Sequence, residues 1–123
     1  MDEREFKRRT REVALRVIRM VDALPSRRLA AEVIGRQVLR SGTAIGANYR
    51  AACRAMSRAD MAAKLSHVEE EADETLYWME LLVDSGIVSE ARLRSLMAEV
   101  EAILSMVVAS LKTLRRRGLK SKI

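Results

Sequence analysis

Arg40-Ser41-Gly42-Thr43-Ala44-Ile45-Gly46-Ala47-Asn48-Tyr49 is the stretch on which the fold turns. It lies in a segment from about Arg27 to Met56 whose small and apolar residues recur at helical spacing: Ala30, Val33, Ile34, Gln37, Ser41, Ala44, Ile45, Asn48 and Ala52. That recurrence predicts a helix with one inward face. Gly42 and Gly46 are four residues apart, hence on one side of it. Glycine costs about 1 kcal/mol in a helix interior, so two of them need a reason. Either a neighbouring helix approaches closely there, or the helix kinks.

Three further helices flank this one. The first spans about Glu3 to Ala23, with Val13, Ala14, Val17, Ile18, Val21 and Leu24 on its apolar face. Leu24-Pro25-Ser26 ends it, because proline cannot continue the ladder and biases the preceding residue away from helix. Ser26 is the expected N-cap of the second helix. Ser57-Arg58-Ala59-Asp60 reads as a capping box with Asp in place of Glu and opens a third helix, to about Ser85. Its core stripe is Leu65, Val68, Ala72, Thr75, Leu76, Met79, Leu82 and Val83. Gly86 suits the left-handed position past a helix end, and Ser89 with Glu90 opens the fourth helix.

The fourth helix carries Leu93, Met97, Val100, Leu104, Val107, Leu111 and Leu114 at coiled-coil-like spacing. Leu96, Ile103, Met106 and Val108 widen that seam beyond one stripe. A helix apolar over so much of its circumference predicts two apolar neighbours, and the second is expected to be another copy of the chain. Gly118 is expected to end the helix after Arg115-Arg116-Arg117, leaving a basic tail over 119–123. Short connections imply an all-α, antiparallel, up-down-up-down four-helix bundle occupying residues 1–118 as one domain.

Composition agrees. Hydrophobic residues make up 49% and charged residues 33%, which excludes a disordered chain. One Pro, five Gly and 3% aromatics fit an all-helical protein. No apolar run reaches the roughly 20 residues of a membrane span. With no signal-like N-terminus and a single cysteine, the expected location is cytoplasmic. Charge runs in blocks: residues 1–58 hold 14 Lys/Arg and 6 Asp/Glu, residues 59–101 hold 3 and 11, and residues 102–123 hold 6 and none.

Candidates for chemistry are few. His67, the only histidine, has Glu70 and Glu71 on its face, but the residue three before it is Lys64. The Glu-x-x-His pattern of di-iron bundles is therefore missing, and neither metal nor cofactor is expected. Cys53 has no triad context and reads as a structural thiol. Gly42 and Gly46 lack the lysine and strand setting of a phosphate loop. An enzyme is not expected.

Arginine is the richer signal. Arg36, Arg40, Arg50, Arg54 and Arg58 share one side of the second helix, and Arg4, Arg8 and Arg11 line one side of the first. One reading is a solvated face that pairs with the acidic third helix. The other is contact with RNA or DNA phosphates, which the planar guanidinium fork suits. Few aromatics disfavour base stacking, so such contact is expected to be to backbone and shape. Asn48 and Thr75 are expected to fix helix register, and Tyr77 and Trp78 to anchor at the boundary. A ligand pocket beside Gly42 and Gly46 is the alternative.

The sequence Arg40 to Tyr49, then Ser57, Asp60 and Lys64, then Glu71-Ala72, Glu74-Thr75 and Tyr77-Trp78, resembles the four-helix-bundle family encoded in intervening sequences of 23S ribosomal RNA genes, also labelled S23 ribosomal proteins. The resemblance implies antiparallel four-helix bundles that assemble as homopentamers. It also implies kinship with a basic pentameric accessory protein of diversity-generating retroelements, implicated in binding nucleic acid and a reverse transcriptase. Where the pattern continues with acidic residues, this chain has Arg50-Ala51-Ala52, which extends the basic side. Two functions follow as expectations: a non-enzymatic homo-oligomer binding RNA or DNA backbone, or an interaction scaffold with a protein partner and no nucleic-acid contact.

Overall fold

In the computed structural model, which describes residues 2–122 and the side chains of 2–118, four helices follow one another: α1 (Glu3–Asp22), α2 (Leu29–Cys53), α3 (Arg58–Asp84) and α4 (Glu90–Lys122). Packing runs between helices adjacent in the chain, α1 with α2, α2 with α3 and α3 with α4, while α4 meets α1 along a much looser seam. Among the described residues there is no strand, and no helix is long and apolar enough to cross a membrane.

The helix ends follow from local chemistry. Asp2 accepts from the Glu5 N–H at 2.7 Å and starts α1. Ser57 accepts from the Asp60 N–H at 3.0 Å and starts α3, as expected. The Asp60 carboxylate takes the Met56 N–H at 3.1 Å, which removes that amide from α2 and helps end it at Cys53 rather than near Met56. Ser26 does not cap α2. Arg28 occupies the cap without a side-chain bond, and Arg27 turns the chain in the left-handed region, at φ 63°. Gly86 adopts φ 76° past α3, as its position predicts. Gly118 does not stop α4, which continues through it; the side chains of the expected tail, 119–123, lie outside the described residues.

The core contains the expected α3 stripe, with Val83 only half-buried. On α2 the inward face is Ala31, Gly35, Val38, Ser41, Gly42, Ile45 and Ala52, so Ala30 and Val33 turn outward. The shift arises because α1 lies against the glycine side. A Cβ on Gly42 would stand 2.9 Å from Val17 Cγ2 and 3.0 Å from Cγ1. One on Gly46 would stand 3.2 Å from Thr10 Oγ1, and one on Gly35 2.9 Å from Leu24 Cδ1. Close approach, with α2 continuous through both glycines, is thus the reason for the pair, and Gly35 is a third point of approach that the sequence did not reveal.

On α4 the buried stripe is Leu93, Leu96, Val100, Ile103, Val107 and Leu111. Leu96 and Ile103, expected at an interface between copies, are 3% and 0% exposed within one subunit. Met106, Val108, Met97 and Leu104 are half-buried, and no large apolar side chain of α4 is exposed among the described residues. The wide apolar arc of α4 is explained by its two neighbours in the same subunit, α3 and α1.

These contacts order the glycines. Val17 is β-branched and meets the Gly42 position with its Cβ and both methyls, so it cannot move away cheaply. Gly42→Ala is expected to lose about 1–2 kcal/mol, overpacking outweighing the helix-propensity gain. Gly35→Ala crowds the flexible end of Leu24 and makes an ordinary contact with Val21, so it is expected to be neutral or stabilising. Urea denaturation of the two variants, with Val17→Ala added to rescue Gly42→Ala, checks the order.

Candidate nucleic-acid interface

On the expected α2 stripe, Arg36 and Arg40 are held by acids. Arg36 pairs with Glu32 one turn back, at 2.7 Å. Arg40 reaches across to α3, where its guanidinium binds Glu74 and lies 3.4 Å from Glu71. Trp78 Nε1–H donates to the same Glu74 carboxylate at 3.2 Å. Beneath this surface cluster, the buried hydroxyls of Ser41 and Thr75 lie 2.9 Å apart, and Thr75 Oγ1 is 2.7 Å from the Glu71 carbonyl. Arg40, Ser41, Glu71, Glu74, Thr75 and Trp78 thus form one clasp between α2 and α3. The hydrogen bond from Arg40 holds the Glu74 carboxyl below its usual range, with Trp78 adding to the effect.

The other motif residues have separate tasks. Asn48 does not bridge helices: its Nδ2 donates to the Ala44 carbonyl at 2.9 Å within α2. Tyr49 packs on Phe6 of α1, ring centroids 4.4 Å apart, and burial raises its hydroxyl pKa. Tyr77 stands edge-on to Trp78 but is 52% exposed. Burial also raises the Cys53 thiol, reinforced by a hydrogen bond to Glu3, so the nucleophilic thiolate is disfavoured. His67 faces solvent 3.7 Å from Glu70, and no group of three or more potential metal ligands occurs among the described residues.

Arg50 and Arg54 remain exposed, with no ion-pair partner among the described residues. Arg58 belongs to the first turn of α3 rather than to α2. What these three share is an end of the bundle. Antiparallel packing places the start of α1, the end of α2, the start of α3 and the end of α4 together. Arg4, Arg8 and Arg11, Arg50 and Arg54, Arg58, and Lys112, Arg115 and Arg116 are all exposed there. The acids nearby are Asp2, Glu3, Glu5 and Asp60; Asp60 is bound by Lys64 and Glu3 lies 3.9 Å from Lys7. The expected stripe along one helix is therefore a cap built from four. Sequence reasoning did not place Lys112, Arg115 and Arg116 in it; the signal was present in the combination of charge blocks with antiparallel topology.

Across the loose α1–α4 seam, Arg9 forms an ion pair with Glu99, and Arg16 donates to Ser95 Oγ at 3.0 Å. Arg9 also approaches Met106 Sδ, at 3.8 Å, covering that methionine.

The sequence model of the family described as 23S rRNA-intervening sequence protein matches residues 3–109. The chain is also similar to a solved structure from Bacteroides thetaiotaomicron, a protein with unknown function from the S23 ribosomal protein family. The two are 34% identical with a TM-score of 0.80, and the match covers 91% of this chain and 99% of that one. No curated protein matches the chain.

The Arg9–Glu99 pair gives the seam a pH dependence. The hydrogen bond from Arg9 holds the Glu99 carboxyl below its ordinary value of 4.5, against the opposing effect of burial. Its stabilisation is present above that value and is lost as pH falls through the lower, folded-state value. Glu99→Gln is expected to lose about 1 kcal/mol near neutral pH, since the pair keeps some solvent access. In urea denaturation across pH, the variant and the parent should differ near neutral pH and converge as pH falls below the ordinary carboxylate value and Glu99 takes up its proton.

Proposed function

This chain belongs to the 23S rRNA-intervening sequence protein family, and from that premise we propose that it acts, without catalysis, as a homo-oligomeric basic bundle that binds the phosphate backbone of RNA or DNA. The observation that carries the reading is the exposed arginine-rich end, where four helix termini gather basic side chains in excess over the acids Asp2, Glu3, Glu5 and Asp60. Guanidinium groups there can take phosphate oxygens two at a time. Their common location matters more than their number, because charges gathered on one surface add their fields where a polyanion approaches. Arg50, Arg54, Arg8 and Arg11 are the central contacts, with Arg58, Arg115 and Arg116 extending them. Arg36 and Arg40 leave the contact set, since neighbouring carboxylates already hold them. Helix faces with no exposed aromatic at this end favour recognition of backbone over bases.

Binding of labelled structured RNA and of a DNA duplex, followed by fluorescence anisotropy across a salt series, tests the proposal. Affinity is expected to fall steeply with salt. Arg50→Ala/Arg54→Ala/Arg115→Ala is expected to reduce the log–log slope on duplex DNA by roughly 2–3, at about 0.9 for each phosphate no longer neutralised. Arg40→Ala should leave that slope in place while lowering thermal stability. Absence of binding at low salt, or an unchanged slope in the triple variant, overturns the reading and favours a scaffold that meets a protein partner.

A further inference from the structure

Met56 is the most exposed large apolar side chain among the described residues, at 92%. The others, Ile18, Leu29, Val33 and Tyr77, stand in the half of the bundle nearer the α1–α2 and α3–α4 loops, so among them Met56 alone stands at the basic end. Its position is not the slack of a loose loop. The N–H groups of Arg54 and Ala55 donate to the Ala51 and Ala52 carbonyls, each at 3.1 Å, and that of Met56 to the Asp60 carboxylate, also at 3.1 Å. Lys64 binds Asp60 in turn, and Ser57 caps α3, so the short link between α2 and α3 is pinned from both sides. The backbone therefore holds an apolar side chain out in water, where it gains nothing for the fold. Arg54 and Arg58, both exposed, flank it two positions away on either side. Beside it lies a hollow of about 330 Å³, with Ala52, Ala55, Met61 and Leu114 on its apolar side and Glu3 and Arg58 at its edge. Glu3 lies 3.9 Å from Lys7, which offsets its charge.

We infer that Met56 is a wedge: it inserts at an unpaired or unstacked nucleotide, so the protein prefers an interrupted duplex, bulged or looped, to a regular one. The inference rests on the backbone binding proposed above and names the kind of nucleic acid that this binding selects. Arginines around the link set phosphates against this end of the bundle, and Met56 comes up to the ligand with them. A regular duplex offers Met56 only charged backbone and polar groove edges, and a thioether cannot replace the water that those groups lose. An unstacked step offers the flat faces of bases. Apolar side chains, methionine among them, occupy such steps in proteins that kink nucleic acid, and a thioether makes favourable contact with an aromatic ring. A displaced base then finds apolar cover in the adjoining hollow, against Met61 and Leu114. These groups do not read base edges, so the preference is for a missing stack and not for a sequence. The same ring of charge attracts anionic lipid, but one methionine without an apolar helix face gives little to bury in a bilayer.

An RNA hairpin with a single-nucleotide bulge and its fully paired counterpart, each titrated with the parent, Met56→Ser and Met56→Leu by fluorescence anisotropy, test the wedge. Thermal melts by circular dichroism are expected to agree for all three proteins, since the side chain is exposed. The parent is expected to bind the bulged hairpin roughly tenfold more tightly than the paired one. Met56→Leu should keep that preference and Met56→Ser should lose it. A fluorescent purine analogue beside the bulge should brighten with the parent, as the step unstacks, and not with Met56→Ser. Equal affinity of the parent for both hairpins, or a preference that survives Met56→Ser, overturns the wedge while leaving backbone binding intact. Failure of both hairpins to bind at low salt overturns backbone binding, and the wedge with it. Anionic phospholipid vesicles in place of the hairpins give the remaining arm. Vesicle binding that Met56→Ser abolishes, with the hairpins unaffected by that change, assigns Met56 to a membrane surface and overturns the wedge.

Discussion

Val17 lying against the bare face of Gly42 is the contact on which the geometry depends. Without a Cβ at Gly42, the α1 and α2 backbones approach closely enough for a β-branched side chain to fill the gap between them. Thr10 against Gly46 and Leu24 against Gly35 extend the contact in both directions, and Phe6, its ring tilted against that of Tyr49, closes it at the basic end. The conformational cost of glycine in a helix is offset by dispersion along a long, tight line of contact. This line sets the height of α1 against α2, which brings Arg4 and Arg8 alongside Arg50 and Arg54, with Arg11 about one turn further along at the level of Gly46.

The second seam is fixed by polar groups. Ser41 and Thr75 satisfy each other in the core between α2 and α3, and the side-chain polar atoms buried among the described residues all have partners. A one-turn slip would break the bond between the two hydroxyls and leave each only a carbonyl of its own helix, Val38 for Ser41 and Glu71 for Thr75, so the bond adds a register preference that apolar packing alone does not supply. Arg40, bound to Glu71 and Glu74, sits directly above that bond and reads the same register from the solvent side. The motif that runs from Arg40 to Tyr49 therefore serves both neighbours of α2: its glycines face α1, and its arginine and serine face α3.

Much of this is legible in the residues. Four helices, the cap at Ser57, the left-handed Gly86 and the α3 core stripe all follow from short-range rules, because each depends on groups within a few positions of one another. Sequence reasoning fails where a distant helix decides the outcome. Periodicity places Val33 inward, yet the approach of α1 to the glycine side rotates α2 and turns Val33 out. Leu96 and Ile103 read as a surplus apolar face because nothing local reveals that α1 covers them. The site behaves in the same way. Individual arginines on one helix are visible, but their division into those held by Glu32, Glu71 and Glu74 and those left exposed is a tertiary property. So is the gathering of four termini into one basic end.

The sequence-adjacent order of packing bears on how the chain acquires this structure. Almost all long-range packing joins helices that follow one another directly, so the loops that must close are short. Topologies of this kind fold fast, because little chain entropy is lost before native contacts reward it. Each helical hairpin can form on neighbouring sequence alone, α1 onto α2 through the glycines and α2 onto α3 through the clasp. The exception is the meeting of α1 with α4, which joins the two ends of the chain by the thinnest packing. That seam is the natural final step of folding and the first place for the bundle to open, so amide protons along it should be the least protected in the core.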